Sequence, residues 1–203
     1  MNDREGNDSS DANCGSNDGD GDNGGGDSDD SDWPPRETAF LCDGMLGSLV
    51  TYCRMCGYDT AYALDRDIEA DDRLLEVAER EKRTLLTRDR QLAARTRTAG
   101  SGEGTEKKSD EHRFGVNGLL LESRDVTGQL RELRAAGYEL TVTERPVRCG
   151  RCNAPLEAVG NGENTPAYAP NVDVEDVWRC IECEQCFWKG SHLESVERTL
   201  AEL

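Results

Sequence analysis

The sequence predicts an α/β fold, a parallel sheet flanked by helices, followed by a small metal-binding module. Three observations carry that prediction. Short apolar runs alternate with stretches of helical periodicity from about residue 38 to residue 144, the pattern of β-α units closing into a parallel sheet. Residues 145–203 change texture and carry two C-x-x-C pairs. The length, 203 residues, suits one domain with a small module attached.

Residues 1–35 are mostly Asp, Gly, Ser and Asn without pattern and end at Trp33-Pro34-Pro35. Such a stretch cannot bury enough apolar area to offset its ordering entropy and is expected to be disordered. The plan is therefore an acidic tail over 1–37, an α/β domain over 38–144, and the metal module with a C-terminal segment over 145–203. Ala39-Phe40-Leu41-Cys42, closed by Asp43-Gly44, reads as a buried strand. Met45 to Cys56 then places Leu46, Leu49, Val50, Cys53 and Cys56 on one helical face, with Gly57 as its C′ residue. Tyr58–Leu64 is the second strand. A helix capped by Asp71 or Asp72 runs to about Lys82, with Leu74, Leu75 and Ala78 inward.

Thr84–Thr87 is the third strand, and a short helix through Leu92 leads into a Gly- and charge-rich loop over Ser101–Asp110. Leu119–Leu121 is the fourth strand and Val126–Ala136 the helix after it, ended by Gly137. Tyr138–Thr143 alternates apolar and polar residues and is expected as a fifth, edge strand. Gly57-Tyr58-Asp59 and Gly137-Tyr138-Glu139 share one turn chemistry.

The formal charge is −18, from 42 acidic against 24 basic residues. Residues 1–32 hold ten Asp and one Glu against one Arg, and the whole chain has four Lys beside twenty Arg. Strong acidity with scarce Lys suits a protein of a high-salt cytoplasm, where the Debye length falls to about 3 Å near 1 M salt. Acidity thus does not exclude an RNA partner, because long-range repulsion is screened there. No stretch approaches the roughly 20 apolar residues of a membrane span, and residues 1–30 lack a secretory pattern. A cytoplasmic protein without membrane contact is the expectation.

Cys149-Gly150-Arg151-Cys152 and Cys180-Ile181-Glu182-Cys183 each put two thiolates on one knuckle. Together they supply the tetrahedral S₄ set that Zn²⁺ prefers, a closed and therefore structural site. Two disulfides are disfavoured in a reducing compartment. Cys186 is close enough to compete as a ligand and reads first as an apolar filler. Cys53 and Cys56 resemble a redox pair by spacing, but they lie at a helix C-terminus, where the dipole raises thiol pKa values.

In a parallel α/β sheet, ligands bind at the carboxyl ends of the strands. Asp43, Asp89 and Asp125 fall there, and Asp71 or Asp72 can lean over the same edge. Carboxylates gathered from separate strands suit Mg²⁺ or Mn²⁺, which retains waters and binds phosphate, and such a metal can drive phosphodiester hydrolysis. Each acid can equally cap the helix that follows. Thr87 and Ser123 could orient water or phosphate. Arg88, Arg90, Arg95 and Arg97 surround Asp89, and Arg145, Arg148 and Arg151 surround the first knuckle. Arg88, Arg90, Arg148 and Arg151 are the candidate RNA contacts.

The ordered set Phe40-Leu41-Cys42-Asp43-Gly44-Met45-Leu46-Gly47, Gly57-Tyr58-Asp59-Thr60, Leu85-Leu86-Thr87-Arg88-Asp89, Gln129-Leu130, Arg148-Cys149-x-x-Cys152-Asn153, Cys180-x-x-Cys183 and Trp188-Lys189-Gly190-Ser191-His192 resembles the Mut-seven C-terminal RNase domain family over residues 39–193. The resemblance implies a PIN-like nuclease fold with a C-terminal zinc ribbon. It carries Asp43 and Asp89 over to the metal-binding acids, with Asp71 or Asp72 and Asp125 as further candidates. It also marks the closing motif, so Lys189 and His192 join the RNA-binding candidates, His192 by reaching the catalytic edge or a phosphate. The acidic tail and residues Gly100–Arg113 are additions to the family pattern.

The leading functional expectation is a metal-dependent ribonuclease, cleaving endonucleolytically, with RNA as substrate and the ribbon assisting RNA binding. The alternative is a non-catalytic RNA- or protein-binding zinc-ribbon adaptor in which the acids are helix caps. A thiol redox protein comes third. The sequence names no protein partner or regulator.

Overall fold

The structure is a computed structural model, and it describes residues 36–98 and 115–203. The tail over 1–35 and the charged loop over 101–110 lie outside the described residues. Strands β1 (Ala39–Cys42), β2 (Asp59–Tyr62), β3 (Thr84–Thr87), β4 (Arg97–Thr98) and β5 (Asn117–Leu120) form one parallel sheet in the order β2-β1-β3-β5-β4. Leu41 pairs with Ala61 on one side and Leu85 on the other, and Leu86 pairs with Leu119.

Alternate residues of the central strands face opposite helical layers. Phe40, Cys42 and Leu86 pack with Leu49, Val50 and Cys53 of α1 (Gly47–Met55) and with Leu130 and Leu133 of α4 (Val126–Ala135). Leu41 and Leu85 face the other way, against Leu74, Leu75 and Ala78 of α2 (Asp71–Arg80) and Leu92 of α3 (Arg90–Ala94). Burial on both faces is what a parallel sheet requires. Three helices end in the same hydrogen-bonded turn, which returns the chain to a strand start or to the sheet face. In α1, Gly57 N–H bonds Arg54 C=O and Tyr58 N–H bonds Cys53 C=O, with Gly57 at φ 84°. Gly137 and Tyr138 repeat it after α4, and Lys82 and Arg83 after α2, with Lys82 taking the left-handed position at φ 54°.

Three expectations are corrected. The first helix starts as a 3₁₀ turn over Gly44–Leu46 before α1 begins. Ala70, not Asp71 or Asp72, occupies the N-cap of α2; both acids lie in its first turn, where the macrodipole favours them. Tyr138–Thr143 forms no strand. Its alternation is real, but Tyr138, Leu140 and Val142 pack on the Phe40 cluster by side chains alone. Tyr138 meets Phe40 edge-on at 5.0 Å, and Tyr58 donates its hydroxyl proton to Glu139 C=O at 2.9 Å. The edge beside β5 is instead the two-residue β4, and β2 forms the other edge.

Beyond residue 145 a three-stranded antiparallel sheet forms from β6 (Leu156–Ala158), β7 (Val177–Cys180) and β8 (Cys186–Trp188), in the order β6-β7-β8. Helix α5 (Ser191–Ala201) then returns to the first core through Val196 and Leu200, and Arg134 donates to Leu200 C=O at 2.7 Å. The sequence reading did not name this helix, although Leu193, Val196 and Leu200 carry its spacing. Among the described residues no helix is long and apolar enough to cross a membrane.

Candidate active site and metal centre

The two knuckles are near copies of one another. Cys152 N–H points at Cys149 Sγ at 3.5 Å and Cys183 N–H at Cys180 Sγ at 3.4 Å. The next residue in each, Asn153 (φ 72°) and Glu184 (φ 57°), turns left-handed and donates its N–H to the carbonyl of the first cysteine. The left-handed residue turns each loop so that both thiols of a knuckle face one point. Cys149 Sγ and Cys183 Sγ are 3.6 Å apart, Cys152 Sγ and Cys180 Sγ 3.4 Å, and all four lie within 4.8 Å of one another. A tetrahedral ion with Zn–S bonds near 2.3 Å would set these edges at about 3.8 Å. The four cysteines are therefore a group that can hold zinc. Cys186 stands outside that group, buried, with its thiol toward Glu184 C=O.

The knuckle is fastened to the sheet by two residues. Arg54, 3% exposed, donates to Thr60 C=O at 3.0 Å, to Gly150 and Arg151 C=O at 3.2 and 2.8 Å, and to Asp65 at 3.2 Å. Asn153 donates to Asp59 at 2.7 Å and accepts the Thr60 N–H at 2.9 Å. The sequence reading missed Arg54, which looked like one more surface arginine. Its one signal was a charge at i+1 from Cys53, on a helix whose neighbouring positions are apolar.

The carboxylates gather differently. Asp43 follows β1 and is 7% exposed. Its backbone N–H bonds Leu86 C=O, so it sits beside the end of β3. One carboxylate oxygen accepts Met45 N–H at 2.8 Å and the other the Thr87 hydroxyl at 2.5 Å. That hydroxyl in turn accepts Asp89 N–H at 2.9 Å. Asp89 caps α3, and both of its hydrogen bonds, from Gln91 and Leu92 N–H, fall on Oδ1. Asp43, Asp71 and Asp89 line one cleft of about 270 Å³ together with Glu69, which the sequence reading did not single out. Among the described residues no Lys, Arg or His lines it. Asp72 points elsewhere, in an ion pair with Arg95. Asp125 does not line the cleft; it caps α4 through Gly128 N–H at 2.8 Å. Ser123 hydrogen-bonds Glu132.

The arginine candidates are dispersed. Arg88 is half-buried and its Nε has no hydrogen-bond partner among the described residues. Arg90 pairs with Glu122 at 2.7 Å in the open. Arg148, Arg151 and His192 line a second cleft, beside the ribbon, and Lys189 is exposed next to it. Since α1 runs back from the carboxyl edge, its last turn, which borders this second cleft, lies toward the amino edge of the sheet. The second cleft is where the structure places His192, away from the carboxylates.

Cys42, Cys53 and Cys56 are enclosed in the core. Burial pushes the Cys42 and Cys56 thiols up to about 12, and Cys53 well above the usual range. Such thiols stay protonated and unreactive, which removes the redox reading for these three.

Fold and sites together define an α/β domain with helices on both faces, a carboxylate cleft at the carboxyl edge of its sheet, and a four-cysteine ribbon. The family model of the Mut7-C RNAse domain matches residues 38–200, and the chain belongs to that family. A nuclease-like function follows from the membership. No curated protein and no solved structure matches the chain.

Proposed function

We propose that this protein is a metal-dependent ribonuclease that hydrolyses RNA phosphodiesters at the carboxylate cleft. The observation that supports it is the convergence of Asp43, Glu69, Asp71 and Asp89 on one cleft that no basic side chain lines among the described residues. Like charges held together without a counter-charge are unfavourable, and a hard divalent cation is the natural balance for oxygen donors. The donor set fits such an ion, since Asp89 keeps Oδ2 clear of its helix cap and Asp71 lies in the first turn of α2, not at its cap.

Asp43, Asp89 and Asp71 would hold Mg²⁺ or Mn²⁺, which supplies Lewis acidity and charge neutralisation at the scissile phosphate. The protein's part is positional. Thr87 donates to Asp43 and accepts from the Asp89 backbone, so one hydroxyl keeps the ends of β1 and β3 in register. Asp125 is assigned to capping α4. The four-cysteine site is proposed to carry structural Zn²⁺, holding the ribbon that assists RNA binding. The non-catalytic adaptor is not favoured, because the family is an RNase domain.

The test is cleavage of single-stranded and structured RNA in molar KCl, with Mn²⁺, Mg²⁺ or neither. Wild type is compared with Asp43→Asn and Asp89→Asn at matched zinc content. The expected result is metal-dependent cleavage, reduced by about 10²-fold or more in each variant. Cleavage that survives both substitutions would overturn the carboxylate mechanism.

A further inference from the structure

The closing motif Trp188-Lys189-Gly190-Ser191-His192 has no part in the carboxylate chemistry, yet most of it lines the second cleft, of about 460 Å³. That volume is in the range of small-ligand sites. Its walls are chiefly apolar and hold three aromatic side chains, Trp178, Phe187 and Trp188. Arg148 and Arg151 supply its positive charge, and His192 adds a polar group. Among the described residues, not one Asp or Glu lines it. Arg148 already stands 4.0 Å from Asp59, whereas Arg151 makes no ion pair among the described residues, so its charge is not already spent on a carboxylate.

The cleft is also kept in shape by the motif itself. A Cβ on Gly190 would stand 2.7 Å from the Trp188 indole nitrogen, so only glycine lets the ring lie against the start of α5. Trp188 further leans on the Tyr168 ring at 6.4 Å. The indole is thereby held as a fixed wall.

We propose that this cleft takes an unpaired nucleobase of single-stranded RNA, stacked against the aromatic wall, with Arg151 on the adjoining phosphate. The inference rests on the ribonuclease reading for the identity of the polymer. Aromatic faces accept any base, whereas a base within a duplex is already stacked and cannot enter. Stacking also suits the solution conditions the composition implies. Phosphate contacts weaken steeply with salt, and stacking supplies affinity that molar salt does not remove. Because this cleft lies toward the amino edge of the sheet and the carboxylates at the carboxyl edge, it is an anchor for the strand at a distance from the cleaved bond.

The test uses the full, zinc-loaded chain in molar KCl without added Mg²⁺ or Mn²⁺, so that RNA binds without turnover. The probes are a fluorescein-labelled single strand of about twelve nucleotides, the same ribose-phosphate strand without bases, and a blunt duplex. The expected result is that the base-bearing strand binds best and quenches tryptophan emission, the quench being reduced in Trp188→Phe. Trp188→Ala should weaken that strand about tenfold and leave the abasic strand unchanged. Trp188→Phe should keep most of the affinity. Equal binding of base-bearing and abasic strands would overturn the proposal, as would unchanged quenching in Trp188→Phe or displacement of RNA by an acidic aromatic peptide that binds more tightly. Metal-dependent cleavage with Trp188-independent binding would sink this inference alone. Trp188-dependent binding without any cleavage would support it while sinking the nuclease reading.

Discussion

The molecule holds two groups of metal-type ligands, and they are built on opposite principles. The four thiols sit on two short loops, each with its own left-handed residue, and their sulfurs already stand within 4.8 Å of one another. The acids stand at the ends of β1 and β3, in the turn before α2 and in its first turn, and they line an open cleft without closing on one point. Among the described residues the cysteines alone form a group of three or more such ligands within that distance. The difference matches the chemistry. A structural Zn²⁺ needs four protein ligands and no vacancy, whereas Mg²⁺ keeps several waters and needs room for phosphate. One site should therefore hold the fold together, and the other should react.

Removing zinc is the strongest way to break that contrast. Stripping the metal, or making Cys152→Ser, is expected to unfold β6–β8 and lower Tm by more than about 10 °C, followed by circular dichroism and zinc content. Asp43→Asn should move Tm by about 4 °C at most. If both changes cost the same stability, the division of labour fails.

Arg54 sharpens it. Its guanidinium is the buried link between Thr60 and the knuckle carbonyls, so Arg54→Ala should cost about 3 kcal/mol in denaturant unfolding. Zinc affinity should fall with it, because the knuckle loses its support on the sheet.

Acid gives a smaller effect, through two carboxylates joined by Arg83, one of which, Asp59, also holds Asn153 of the knuckle. Burial alone would raise Glu81, but hydrogen bonds from Arg66, Arg83 and Arg80 outweigh it and bring the carboxyl from 4.5 to about 2. Burial likewise opposes Asp59, and the Arg83 and Asn153 hydrogen bonds overcome it, lowering its pKa. The unfolded chain therefore binds these protons at a higher pH than the folded one. For Glu81 that stabilisation is complete above about pH 4.5 and is lost as pH falls toward about 2, and Asp59 acts in the same direction. Glu81→Gln should flatten Tm against pH in that window while zinc binding at neutral pH stays unchanged. An unaltered acid limb would show that these ion pairs contribute nothing.

The sequence by itself determined whatever depends on neighbours along the chain. Strand β3 was expected over the residues it occupies, because an apolar run between two helical stretches leaves little choice. Both glycine turns were legible at Gly57 and Gly137, because left-handed φ favours glycine. Four cysteines in two pairs were legible as one group able to hold a metal ion, because each pair is one local loop and only the meeting of the loops needed the fold. The tertiary structure decided what depends on partners distant in sequence. It brought Glu69 and Asp71 beside Asp43 and Asp89, and set Asp125 apart at its cap. It denied Tyr138–Thr143 a ladder, since a strand exists only where a neighbouring backbone offers hydrogen bonds, and side-chain alternation reports burial alone. It turned Arg54 inward and made a cleft from the motif after β8. These outcomes rest on strand order and helix packing, which join residues tens of positions apart.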